Sequence, residues 1–258
     1  MEVGLTGKRA LVCGASQGIG RAVAQELASL GAEVVVLARD EAKLLDLVVA
    51  LGHLSVAQHS AIAVDMAHTE GLSRALASVG PIDIAVLNSG GPAPGPAHEA
   101  EVVSFEAAFR QHLLAYQTVV RSVVPGMKER GHGRLINIIS TSVKQPLHNL
   151  GVSNTIRGAV AQWSKTLANE LGPFGITVNN VLPGATSTER LAAIIRNKSA
   201  KSGLTEAQAS EEMLNEVPLR RFARPEEIAY AVAFLAGPSG AYINGINLPV
   251  DGGRTGCL

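Results

Sequence analysis

Arg9-Ala10-Leu11-Val12-Cys13-Gly14-Ala15-Ser16-Gln17-Gly18-Ile19-Gly20, followed by the apolar-periodic stretch from Arg21 to Leu30, decides the fold. A short β-rich apolar run enters a loop with three glycines and leaves it in a pattern of helical period. Glycines there permit a tight turn and let backbone N–H groups approach a pyrophosphate, which then rests on the positive end of the helix dipole. An ordinary βα turn explains the glycines taken alone, so the dinucleotide reading depends on the remainder of the chain. Cys13, at the strand's end beneath the loop, reads as a small packed residue rather than a nucleophile.

Outward from this turn the same unit recurs. Apolar runs at 33–38, 60–64, 82–87, 135–139 and 176–181 alternate with helix-prone segments at 18–30, 41–52, 69–79, 101–129, 151–171 and 225–236. A last strand is expected around 242–250, and Gly31, Gly172 and Gly237 stand where helices should stop. This rhythm predicts a single α/β domain over residues 1–258, a Rossmann-like doubly wound parallel sheet with helices on both faces. Residues 187–217 break the rhythm with a polar, helix-prone insertion, expected to form a cap over a substrate site. Its apolar residues Leu191, Ile194, Ile195, Met213 and Leu214 can face either core or ligand. The stretch Gly90-Gly91-Pro92-Ala93-Pro94-Gly95-Pro96 reads as a rigid loop rather than a linker.

Composition narrows the partners. The chain has 258 residues, 47% of them hydrophobic, with 22 Lys plus Arg balancing 22 Asp plus Glu. Such neutrality gives no electrostatic footprint for nucleic acid or an anionic membrane surface. Cys13 and Cys257 are the only cysteines and form no disulfide framework, which fits free thiols in a cytoplasmic protein. The first residues show no secretory pattern and no apolar run reaches a bilayer span, so the chain is expected to be soluble and unprocessed.

With the glycine turn and the β-α rhythm together, the chain resembles the short-chain dehydrogenase/reductase family. Gly14, Gly18 and Gly20 match that family's Thr-Gly-x-x-x-Gly-x-Gly turn, with Cys13 in place of the threonine. Asp65 resembles its adenine contact, Asn88-Ser89-Gly90-Gly91 its Asn-Asn-Ala-Gly turn, and Pro183-Gly184 with Thr188 its nicotinamide-flanking segment. Arg224-Pro225-Glu226-Glu227-Ile228-Ala229 and Asp251-Gly252-Gly253 extend the match over the whole length. The general look is that of 3-oxoacyl-(acyl carrier protein) reductase-like members. The resemblance implies cofactor contacts at Gly14, Ser16, Gln17, Gly18, Ile19, Gly20, Arg39, Asp65, Met66, Asn88, Gly90, Arg157, Pro183, Gly184, Thr186 and Thr188. It also implies a homo-oligomer, a tetramer or dimer assembled through the long helices and the last strand, and no metal.

The second strand ends Val36-Leu37-Ala38-Arg39-Asp40, where the adenosine ribose should lie. An acid at the strand's end would bind a 2'-hydroxyl, whereas Arg39 after Ala38 suits a 2'-phosphate, which favours NADP(H) over NAD(H). The plainer reading leaves Arg39 exposed and Asp40 capping the next helix.

The catalytic positions depart from the pattern. In the family a serine orients the carbonyl, a tyrosine delivers the proton, a lysine four residues on lowers the tyrosine pKa, and an asparagine supports a water relay. Here Ser140 falls on the serine, Ser153 on the tyrosine, Arg157 on the lysine and His112 on the asparagine. An aliphatic hydroxyl is a far weaker acid than a phenol, and a guanidinium effectively never deprotonates, so Ser153 and Arg157 cannot repeat that proton transfer. His112 can act as donor or be a buried structural histidine; Lys144 can project over the nicotinamide or be a solvated loop lysine. Tyr116, one turn from His112, is expected to pack rather than react. Ser140, Ser153 and Arg157 can alternatively form a carbonyl or carboxylate pocket without acid catalysis. The expected function is a nicotinamide-dependent carbonyl reductase or alcohol dehydrogenase acting on a small molecule such as a 3-oxoacyl thioester or other ketone; the alternative is a catalytically silent nucleotide-binding sensor or interaction protein.

Overall fold

A computed structural model of the protein describes residues 2–257. Within them lie seven strands, β1 (Arg9–Cys13), β2 (Glu33–Ala38), β3 (Ser60–Ala63), β4 (Ile84–Leu87), β5 (Gly133–Ile138), β6 (Ile176–Pro183) and β7 (Asn247–Val250). They form one sheet in the order β3-β2-β1-β4-β5-β6-β7, every pair parallel. The helices are α1 (Gly18–Ser29), α2 (Glu41–Gly52), α3 (Thr69–Leu76), α4 (Val102–Phe109), α5 (Ala115–Arg130), α6 (Gly151–Leu171), α7 (Glu189–Ser202), α8 (Glu206–Asn215) and α9 (Pro225–Ala236).

Parallel strands need long crossovers, and those crossovers cover both faces of the sheet. Side chains alternate accordingly. Val12, Val34, Val36, Val86 and Ile136 pack under α1, α2 and α9, while Leu11, Cys13, Val35, Leu37, Leu87 and Leu135 pack under α3, α5 and α6. This two-sided burial explains why the strands read as continuous apolar runs. Each fully buried Leu, Ile or Val contributes roughly 1.5–3 kcal/mol. Cys13 is fully buried and burial pushes its thiol up to about 12, in keeping with a packing role.

Two expectations need correction. The helix expected over 101–129 is interrupted by a π-turn at Arg110–Leu114 between α4 and α5, with helical dihedrals on both sides. Hydrophobic spacing cannot register one widened turn inside a continuous rod, and no glycine or proline marks it. The last strand occupies only Asn247–Val250 instead of 242–250. Gly245 turns at φ +76°, and Asn244 accepts from the Val178 N–H at 2.9 Å, so a side chain serves β6 where a longer β7 would have paired.

The 187–217 segment contains α7 and α8. Thr188 caps α7 through the Leu191 N–H, and Thr205 with Gln208 forms a capping box on α8. Strand order reverses between β1 and β4, and the crevice beyond the carboxyl ends of those strands is where this architecture binds ligands. No helix among the described residues is long and apolar enough to cross a membrane.

Candidate active site

The glycine turn builds a cradle in which positions 14 and 20 have no room for a side chain. Gly14 and Gly18 sit at φ +61° and +57°. A Cβ on Gly20 would lie 2.2 Å from the Gly14 carbonyl oxygen, and one on Gly14 would lie 2.7 Å from Asn88. Asn88, after β4, donates from Nδ2 to the Gly14 carbonyl at 3.2 Å and binds the loop to its neighbour strand. Helix α1 has no side-chain cap from Gln17 and no acid in its first turn, so its leading N–H groups are left for an anion. This chain therefore fits the pyrophosphate of a dinucleotide.

Above the turn lies a cleft of about 630 Å³ lined by Gly14, Ser16, Gln17, Gly18, Ile19, Arg39, Asp65, Met66, Asn88, Gly90 and Thr188, all of them expected cofactor contacts. Gly20 lies just below, in the first turn of α1. Just beyond the end of β2, Asp40 accepts from the Lys43 N–H at 3.1 Å and pairs with the Lys43 ammonium at 3.3 Å. The capping role foreseen for Asp40 is thus present, while exposed Arg39 has no ion pair among the described residues.

A second cleft, about 860 Å³, adjoins the first and shares Ile19, Asn88, Ser89, Thr188 and Arg190 with it. It brings together Ser140, Ser153, Arg157, Pro183, Gly184 and Thr186 with Leu191 and Ile194 of α7 and Met213 of α8. Ile195 and Leu214 do not line it. Ser140, just beyond β5, accepts the Ser142 N–H at 3.1 Å, which leaves its own hydrogen for another acceptor. Ser153, in the first turn of α6, is 6% exposed and its hydroxyl has no hydrogen bond within the described chain. Arg157, one turn further, is 6% exposed and donates from Nη1 to the Ile138 carbonyl at 2.9 Å, while its Nε has no partner.

The structure separates the two expected proton donors from this cleft. Lys144 follows the short turn after Ser140 but lines neither cleft. His112 sits fully buried in the π-turn, its Nδ1 bonded to the Ala108 carbonyl at 3.0 Å and its Nε2 without partner. Burial, reinforced by the charges of Arg157 and Arg190, pushes His112 down to about 3. It is a neutral ring at physiological pH, not an acid in waiting.

Tyr116 is fully buried and packs as expected, yet its hydroxyl shares a 3.1 Å hydrogen bond with Ser89. Burial raises its pKa, against the opposing influence of Arg157 and of the Ser89 contact. Sequence reasoning missed Arg190, Lys198 and Lys201. The α7 residues Arg190, Leu191, Ile194, Asn197, Lys198 and Lys201 recur at helical spacing and all face the cleft. That periodicity was the available signal.

Comparisons with known proteins agree with this fold. A family model described as Enoyl-(Acyl carrier protein) reductase matches residues 14–255. The chain is 33% identical to L-xylulose reductase of Homo sapiens over 258 residues, the full length of both. It is 31% identical to the NADPH-dependent reductase BacG of Bacillus subtilis (strain 168), covering 95% of this chain and 97% of that one. The solved structure of L-sorbose reductase from Gluconobacter frateurii, complexed with NADPH and L-sorbose, superposes with a TM-score of 0.93 at 31% identity over the whole of both chains.

Proposed function

The chain belongs to the short-chain dehydrogenase/reductase family, and we propose that it is an NADP(H)-dependent reductase of a small polyol-type or cyclic ketone that works without a tyrosine proton donor. The observation that carries this reading is the continuity of the two clefts, one built on the glycine turn and the other containing Ser140, Ser153 and Arg157. Similarity to NADPH-dependent relatives and the unpaired Arg39 support NADP(H) over NAD(H).

The residues fit the cofactor: the glycine turn and the α1 N-terminus would hold its pyrophosphate, Arg39 would meet its 2'-phosphate, and residues from Pro183 to Thr188 would line the nicotinamide end. When bound, the reduced nicotinamide supplies hydride to the carbonyl carbon. Ser140 donates its free hydroxyl hydrogen to the carbonyl oxygen, and Ser153 offers a second hydroxyl in the same cleft. Arg157 supplies fixed positive charge where the oxygen gains negative charge, the type of preorganised stabilisation that counts most in a partly desolvated site. Proton delivery falls to water entering the open cleft, because His112 is neutral and enclosed and Lys144 lies outside the lining.

A second reading has its own observation. None of Tyr116, Tyr230 and Tyr242 lines the cap-side cleft, which also suits a nucleotide-binding protein without turnover. NADPH consumption by the purified protein separates the two. A panel of ketoses, cyclic ketones and 3-oxoacyl thioesters should contain at least one substrate; tight NADPH binding with no oxidation across the panel would establish the silent reading instead.

A further inference from the structure

The charges of the chain balance, but those of its two clefts do not. Arg21, Arg39, Lys43 and Arg190 in the glycine-turn cleft face Asp40, Asp65, Glu189 and Glu226, four against four. The cap-side cleft is lined by Arg157, Arg190, Lys198, Lys201 and Arg254 against Glu216 alone. Glu216 pairs with Arg254, and Lys198 pairs with Glu212 at 2.8 Å. Arg157, Arg190 and Lys201 have no carboxylate partner among the described residues.

We propose that the cap-side cleft recognises a substrate carrying an anionic carboxylate or phosphate group beside its carbonyl or hydroxyl carbon. The inference rests on the reductase reading of the same cleft and specifies its substrate class. Burying a guanidinium without a counter-charge is costly, and Arg157 is almost wholly enclosed, its Nε unpartnered. The charge of Arg157 is felt in turn at Arg190, whose pKa is lowered by desolvation first and by Arg157 second. The Arg190 guanidinium is bonded only to the carbonyls of Gly91 and Pro92, neutral acceptors, so that at this exposed position solvent alone screens its charge. An incoming anion relieves both. Lys201, exposed at the far end of the same α7 face, extends the positive field toward solvent, and a cleft lined by one sign of charge draws in ligands of the other. Leu147, Leu150, Leu191 and Ile194 supply apolar wall for the remainder of the molecule.

The test uses the protein with NADPH and matched substrates: a keto acid against its methyl ester, and a ketose phosphate against the free ketose. The anion of a pair should show kcat/KM at least about 10-fold above its neutral twin at low ionic strength. That gap should narrow as salt brings the screening length to about 8 Å and below. Arg190→Gln and Lys201→Gln, both at exposed positions, should each narrow it further. Preference for either anion upholds the inference, and the larger gap identifies the group. Equal or better turnover of both neutral twins overturns it while leaving the reductase reading intact. If no carbonyl of either kind is reduced, the reductase reading fails. Calorimetric titration of the NADPH complex with a saturated dicarboxylate and with its diamide then decides the matter: tighter binding of the acid upholds an anion site, and equal binding overturns it.

Discussion

Arg157 Nη1 donates a 2.9 Å hydrogen bond to the carbonyl oxygen of Ile138, joining the first turns of α6 to the end of β5, two residues before Ser140. The contact gives Arg157 a structural anchor besides any role toward ligand. Arg157→Lys keeps the charge but loses the planar fork that reaches this carbonyl. We expect kcat/KM to fall by about 10-fold or more, about 1.4 kcal/mol, with little change in helix content; steady-state kinetics and circular dichroism check both parts.

The glycine cradle leaves no space for a methyl group. In Gly20→Ala the new Cβ would meet the Gly14 carbonyl oxygen at 2.2 Å and Asn88 Nδ2 at 2.8 Å, all in the wall of the pyrophosphate site. Fluorescence titration should show NADPH affinity reduced by about 100-fold, roughly 2.7 kcal/mol, with circular dichroism checking that the fold is kept.

Arg39→Ala addresses cofactor choice. Removing a charge-assisted contact to a 2'-phosphate should weaken NADPH binding by about 10-fold and leave NADH binding nearly unchanged. Equal losses for the two cofactors would mean that Arg39 does not meet the phosphate. Asp40 remains on its helix cap in either outcome.

Acid should destabilise this protein through His112. Its folded pKa, about 3, lies below the unfolded value near 6.5, so the unfolded chain takes up a proton that the folded chain refuses. The stability it contributes is complete above about pH 6.5 and is lost as pH falls toward 3, by an amount on the order of a few kcal/mol. His112→Asn removes the titration, and its melting temperature should decline less between about pH 7 and about pH 4 than that of the unchanged protein. Parallel decline in the two would contradict the assignment.

The sheet was legible because both of its faces are covered: Leu11 with Val35 and Val12 with Val36 pack on opposite sides, which writes the strands as unbroken apolar runs. The glycine turn was legible because its backbone tolerates no other residue at Gly20. The candidate site was only half legible. Local motifs located Ser140, Ser153 and Arg157, but the exclusion of His112 and Lys144 depends on burial and on the path of a loop, which spacing does not encode. The π-turn around His112 and the cationic face of α7 escaped for related reasons: one is a single widened helical turn, and the other looks solvated until α7 is seen to lie over the cleft.

The most direct measurement is NADPH oxidation by the unchanged protein and by Ser140→Ala, on the best carbonyl of the panel. Ser140, with its hydrogen free for the substrate oxygen, should account for about 10²-fold in kcat, and the variant should bind NADPH as before. A Ser140→Ala protein as active as its parent, or a parent that binds NADPH and reduces no carbonyl, would contradict reduction by a serine and arginine pocket in place of the tyrosine.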